Sequence, residues 1–103
     1  MRICDFFTRQ MKINEDIVSH VLSYSGIEEA RKHKKISALL SVEEGGVCGE
    51  KIERLEELYK RGVRLMTISW NFENSLCYPH SLMEDTTDRR LKPFGKEVVQ
   101  RME

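Results

Sequence analysis

The stretch ISALLSVEEGGVCGEKIERLEELYKRGVRLMTIS, residues 36–69, decides how the chain is built. Its opening run, ISALLSV (36–42), is short and apolar, with a charged run before it and Gly45-Gly46 behind, which predicts a buried strand. Further on, Ile52, Leu55, Leu58 and Tyr59 share one face of a 3.6-residue period. Glu50 with Arg54, Glu56 with Lys60 and Glu57 with Arg61 have the acid-first i,i+4 spacing that supports a helix over 50–61. Gly62 stands where a helix places its C′ residue. VRLMTIS (63–69) then predicts a second strand, so the stretch reads strand, glycine-rich turn, helix, strand.

Working outward, residues 17–24, IVSHVLSY, are β-branched and aromatic over strand length. Ser25 with Glu28 three residues on forms a capping-box pattern, which predicts a helix over Gly26–Lys34. Ile3, Phe6, Phe7, Gln10 and Met11 make the stripe of an amphipathic helix ending near Asn14, whose apolar face needs a partner. On the other side, Trp70 to Lys92 form a loop too long to be a mere connector. Pro93 suits the first position of a closing helix whose Phe94, Val98, Val99 and Met102 line one face.

Strict alternation of helix and apolar strand predicts an α/β fold, with about three parallel strands joined by right-handed crossovers and about four helices. Residues 1–103 form one unit. Three parallel strands leave two open edges, so the chain reads as a slice of something larger.

Composition limits the functions. The 103 residues carry 17 Lys plus Arg against 17 Asp plus Glu. This balance gives no electrostatic reason to expect nucleic acid or an acidic membrane as partner, and zero net charge favours self-association into a homo-oligomer. No apolar run approaches the roughly 20 residues of a membrane helix, and the N-terminus lacks the order of a secretory signal, so a cytoplasmic location is expected. Cys4, Cys48 and Cys77 are odd in number and far apart, which predicts free thiols. His20, His33 and His80 make no metal-binding pair by spacing.

Chemistry in parallel α/β folds gathers at the C-terminal ends of strands. At the end of ISALLSV, strand alternation puts Ser37, Leu39, Ser41 and Glu43 on one face and the greasier Ile36, Ala38, Leu40 and Val42 on the other. Glu43 would project from the smaller, more polar face, where a carboxylate can ligate a metal, act as a base or simply be solvated. The Gly-rich run after it could cradle a phosphate, but two carboxylates at its entrance would repel one, and no Walker lysine or dinucleotide fingerprint is present. Trp70, Asn71 and Asn74 at the end of the next strand can wall and orient a ligand, or anchor the loop. After the first strand, Tyr24-Ser25-Gly26 offers a helix cap and nothing more.

Residues 35–74, KISALLSVEEGGVCGEKIERLEELYKRGVRLMTISWNFEN, with LKPFGKEVVQRM at 91–102, closely resemble the interior of the membrane (renal) dipeptidase family of zinc metallopeptidases, particularly its bacterial branch. The match is ordered: a strand ending in SVEEGG, a helix ending LYKRGVR, a strand running into WNFEN and a PFGKEVV helix start. The resemblance implies a (β/α)8 barrel with two zinc ions at its C-terminal mouth, hydrolysing dipeptides by a metal-activated hydroxide. It implies that Glu43 bridges the metals, with Glu44 the competing register. Trp70 stands where some relatives carry a substrate-contacting histidine, and Asn71 and Asn74 belong to the same motif on the substrate side. The family's His-x-Asp motif is absent here, and its two histidine ligands, its substrate-binding arginine and its late aspartate would lie beyond Glu103. A barrel takes about 250 residues. The expectation is therefore part of a zinc dipeptidase that binds no zinc and has no activity by itself. The rival reading is a non-catalytic, truncated α/β remnant that self-associates, and a small nucleotide-binding module comes third.

Overall fold

The computed structural model of the chain describes residues 2–79 and 89–103, so His80, Thr86 and Thr87 lie outside the described residues. In chain order it has α1 (Arg2–Ile13), β1 (Val18–His20), α2 (Tyr24–Lys32), β2 (Ile36–Ala38), β3 (Leu40–Val42), a 3-10 turn (Gly45–Cys48), α3 (Ile52–Lys60), β4 (Val63–Met66) and α4 (Pro93–Met102). Among the described residues both pairings between strands are parallel, β1 with β2 and β3 with β4. The expected single strand over 36–42 is instead two short ones separated by Leu39, each in a sheet of two strands. The first half faces β1 in the register Val18↔Ile36 and His20↔Ala38. The second half faces β4.

The pairing of β3 with β4 carries a bulge. Leu40 pairs with Val63 and Ser41 with Leu65, so Arg64 is the extra residue. In a regular strand, positions 63 and 66 would face opposite sides; the inserted residue lets both Val63 and Met66 enter the core. Arg64 leaves the ladder and donates to the carbonyls of Tyr59 and Val63 at 2.8 Å each, with its guanidinium 3.8 Å from the centre of the Tyr59 ring.

The main core lies on one side of the sheets, where Cys48, Leu55, Leu58, Val63, Met66, Leu76, Cys77 and Val98 are buried together against Leu40 and Val42. Outside it Cys4 of α1, Val21 after β1 and Ala30 of α2 are also buried. The other face is bare: Ser37, Leu39, Ser41, Glu43, Leu65 and Thr67 are all exposed. A parallel sheet is ordinarily covered on both faces. Among the described residues helices cover one face only, and the chain is elongated at 49 × 26 × 23 Å. Its radius of gyration is 16.3 Å, against about 13 Å for a compact domain of this length.

Three local expectations are corrected. The N-cap of α2 is Ser23, whose side chain accepts from the Gly26 N–H at 3.2 Å, so the Ser25–Glu28 capping box is not used. The inward side of α1 is Cys4, Phe7 and Met11, while Ile3 and Phe6 face solvent. Of the three acid-first pairs on α3, Glu57–Arg61 is an ion pair at 2.6 Å; Arg61 also reaches Asp5 of α1, and Glu56 pairs with Arg101 of α4. Gly62 does follow α3 with φ of +93°, and Pro93 does open α4. All three cysteines are free and buried. Among the described residues no helix is long and apolar enough to cross a membrane.

Candidate functional site

The ends of β3 and β4 lie side by side, joined by a last ladder bond from the Thr67 N–H to the Val42 carbonyl at 3.0 Å. Glu43-Glu44 follow β3 directly, and the Trp70–Asn74 segment follows β4 after Thr67, Ile68 and Ser69. Parallel pairing therefore brings together the two places singled out in the sequence.

The neighbouring glutamates differ sharply. Glu43 continues the alternation of Ser37, Leu39 and Ser41 onto the bare face, and its carboxylate is exposed without a hydrogen-bond or ion-pair partner among the described residues. Glu44 is half-buried and accepts a hydrogen bond from Nδ2 of Asn74. Asn74 is a hub. Its Nδ2 also donates to the Ile68 carbonyl at 2.9 Å, and its Oδ1 accepts the N–H groups of Leu76 at 2.7 Å and Cys77 at 3.0 Å. Two donors and two acceptor positions are the whole capacity of an amide side chain, so Asn74 is saturated within the protein.

Gly45 and Gly46 serve this junction. A Cβ on Gly45 would lie 2.8 Å from Leu76 and 3.0 Å from the Ile68 carbonyl. One on Gly46 would lie 2.6 Å from the Glu44 carboxylate and 3.0 Å from Asn74 Cβ. The space a phosphate cradle would need is filled by the protein's own loop.

Trp70 and Asn71 are exposed at the mouth of β4, and the Trp70 indole meets the Phe72 ring edge-on, with centroids 6.1 Å apart. Sequence reasoning missed the device that holds this segment. The Lys92 ammonium donates to Glu73 and to the Asn74 carbonyl, both at 2.6 Å, and lies 4.8 Å from the centre of the Tyr78 ring. The bond to Glu73, above all, pushes the Lys92 pKa up. Ser75 donates to the Gly49 carbonyl. Cys77 bridges Leu91, and Leu76 is fully buried. Their only sequence signal is the polar cluster at 73–75, which has no period to read.

The two described histidines stand apart. His20 packs edge-on against Phe7 with centroids 4.8 Å apart and sits 3.4 Å from the Gly62 carbonyl, and His33 bonds Glu29 at 2.9 Å. Among the described residues no group of three or more His, Cys, Asp or Glu side chains could hold a metal ion.

Membrane dipeptidase, peptidase family M19, matches residues 2–103. The chain belongs to that family. An amidohydrolase from Pseudomonas aeruginosa of known crystal structure superposes on it with a TM-score of 0.83 over 96% of this chain, at 22% identity. That likeness is one of fold. The chain covers 29% of the length of that amidohydrolase. At the C-terminal ends of β3 and β4 a metal centre of the kind the dipeptidase family implies finds one exposed carboxylate without a partner, Glu43; among the described residues this fits a single ligand and does not make a site.

Proposed function

We propose that this chain is one wall of a zinc-dependent dipeptidase built as a TIM-type (β/α)8 barrel, that Glu43 is the metal ligand it contributes, and that it is inactive by itself. The observation that carries the reading is the free Glu43 carboxylate at the C-terminal end of a parallel strand, on the face without helices, in a chain of the membrane dipeptidase family. In a (β/α)8 barrel helices cover the outside and the mouth lies at the strands' C-terminal ends. The bare face then corresponds to the lumen.

Within that reading Trp70 and Asn71 line the side where a dipeptide sits, with Asn74 in the same wall. The exposed indole excludes water from one flank of the substrate, and the Asn71 amide offers it both a donor and an acceptor. The two zinc ions need further donors from outside the described residues. The reading assigns the chain to the cytoplasm, with no nucleic-acid or membrane partner.

The test is a chimera in which residues 2–103 replace the corresponding stretch of a complete dipeptidase of the family. It is expected to hold zinc and cleave dipeptides, and Glu43→Gln is expected to lose both. Unchanged zinc content and turnover in Glu43→Gln would overturn the assignment. Calorimetric titration of the 103-residue chain with zinc is expected to show weak binding or none. Tight binding lost in Glu43→Gln would instead mean that association of copies assembles a site.

A second reading, a non-catalytic self-associating α/β chain, is favoured by the outer edges of β1 and β4, which have no strand partner among the described residues. Beside β4 runs a groove of about 480 Å³ lined by Leu55, Leu58, Val63, Leu65 and Met66. Sedimentation velocity separates the readings: this one requires a stable oligomer at low micromolar concentration and a chimera that stays inactive.

A further inference from the structure

We propose that Asn74 is a positioning residue whose grip on Glu44 commits the adjacent Glu43, and not Glu44, to the bare face of the sheet. The inference deepens the reading of Glu43 given above and rests on it for its functional meaning. The clamp itself can be tested apart from any metal.

The two glutamates are chemically equal neighbours just past the last ladder bond, the one from Thr67 to Val42. Beyond that point the pleat is no longer enforced by pairing, so alternation alone does not decide which carboxylate turns to the open side. Asn74 decides it. Its Oδ1 must face the two backbone N–H groups of Leu76 and Cys77, which fixes the orientation of the amide and aims Nδ2 at Glu44 and the Ile68 carbonyl. A carboxylate accepting from an amide hydrogen in a half-buried site is held more firmly than one in water. Glu43 has no comparable partner among the described residues.

Only an amide of this length meets all four demands. Aspartate at 74 would keep the two acceptors but offer no donor and would repel Glu44, and serine lacks the second donor. Gly46 is the complementary requirement, because the Glu44 carboxylate and Asn74 occupy the space a Cβ would take. The arrangement ties the end of β3 to the wall formed after β4, so one side chain fixes both the direction of Glu43 and the position of the Trp70–Asn71 segment.

The experiment is carbodiimide-driven coupling of glycinamide to the carboxylates of the whole chain, read residue by residue by mass spectrometry. In the unmodified chain Glu43 is expected to react about tenfold faster than Glu44, the protection a charge-assisted hydrogen bond gives. Asn74→Asp keeps the acceptors for Leu76 and Cys77, and Glu44 is expected to approach the rate of Glu43. The double variant Asn74→Asp with Glu44→Gln restores a donor facing an acceptor. It is expected to bring hydrogen exchange of the Gly45–Cys48 turn back to that of the unmodified chain, which a merely structural loss at 74 would not allow. Should Asn74→Asp fail to fold, Gly46→Ala presses on both the Glu44 carboxylate and Asn74 Cβ, and Glu44 is again expected to become reactive. Persistent protection of Glu44 in the folded variants, or equal rates in the unmodified chain, overturns the proposal. Failure of the zinc test on Glu43→Gln, by contrast, would remove the metal role and leave the clamp intact.

Discussion

The carbonyl of Leu76 accepts the Lys92 N–H at 2.7 Å, and a methyl group on Gly95 would lie 2.0 Å from that oxygen. No rotamer relieves a clash with backbone. Gly95→Ala is therefore expected to destabilise the fold by about 1–3 kcal/mol, the usual range for overpacking, measured by urea unfolding. Cys48 gives a second prediction. It is fully buried, and burial pushes its thiol pKa up from the ordinary 9.0. The unfolded chain then loses this proton before the folded one does. The contribution to stability is intact below pH 9.0 and is lost as pH rises through the folded value. Urea unfolding between pH 8 and pH 11 is expected to show that decline, and Cys48→Ala to flatten it. A thiol reagent should reach Cys48 only on unfolding. Strand alternation in the sequence named Glu43 for the open side, but the bond from Asn74 that holds Glu44 away from it was not legible there. Nor was the need for glycine at 95, because it comes from a loop far away in the chain.

Helix ends and strand breaks differ in how openly the sequence declares them. Pro93 and Gly62 act through backbone geometry that belongs to the residue itself, so the start of α4 and the end of α3 were readable. The cap of α2 was not: Ser23 and Ser25 are chemically the same, and Glu28 pointed to the wrong one. Ser23→Ala is expected to cost about 1 kcal/mol in thermal or urea unfolding, and Ser25→Ala only a few tenths. Equal costs would return the cap to Ser25. The break at Leu39 had no glycine or proline to announce it in ISALLSV. Its cause is tertiary, since the two halves of the run pair with different neighbours, β1 and β4, and the second pairing carries the Arg64 bulge. Glu56 likewise found its cation on another helix rather than at Lys60.

At the scale of the molecule, an α/β arrangement with parallel strands was readable because helix and apolar strand alternate so regularly. The bare face was readable only as a suspicion of incompleteness. Its exposed Leu39 and Leu65, with Ile3, Phe6 and Ile36 elsewhere on the surface, leave more apolar area in water than a small chain of zero net charge tolerates well. Sedimentation velocity is expected to show reversible association that rises with concentration, and Leu65→Lys on the edge strand β4 to weaken it. A species that stays monomeric throughout would refute this.

The junction where Cys77 bridges Leu91 and Leu76 accepts from Lys92 has a consequence for how this protein can be altered. The chain departs and returns at one stapled point, so its closure depends only weakly on how many residues lie between. The entropic cost of a larger closed loop grows only logarithmically, about 0.6 kcal/mol for each doubling. The staple thus fixes where the chain leaves and rejoins the core around Leu76 and Val98, and a reporter or tether attached at the exposed Arg90 would hang from a set point on the molecule.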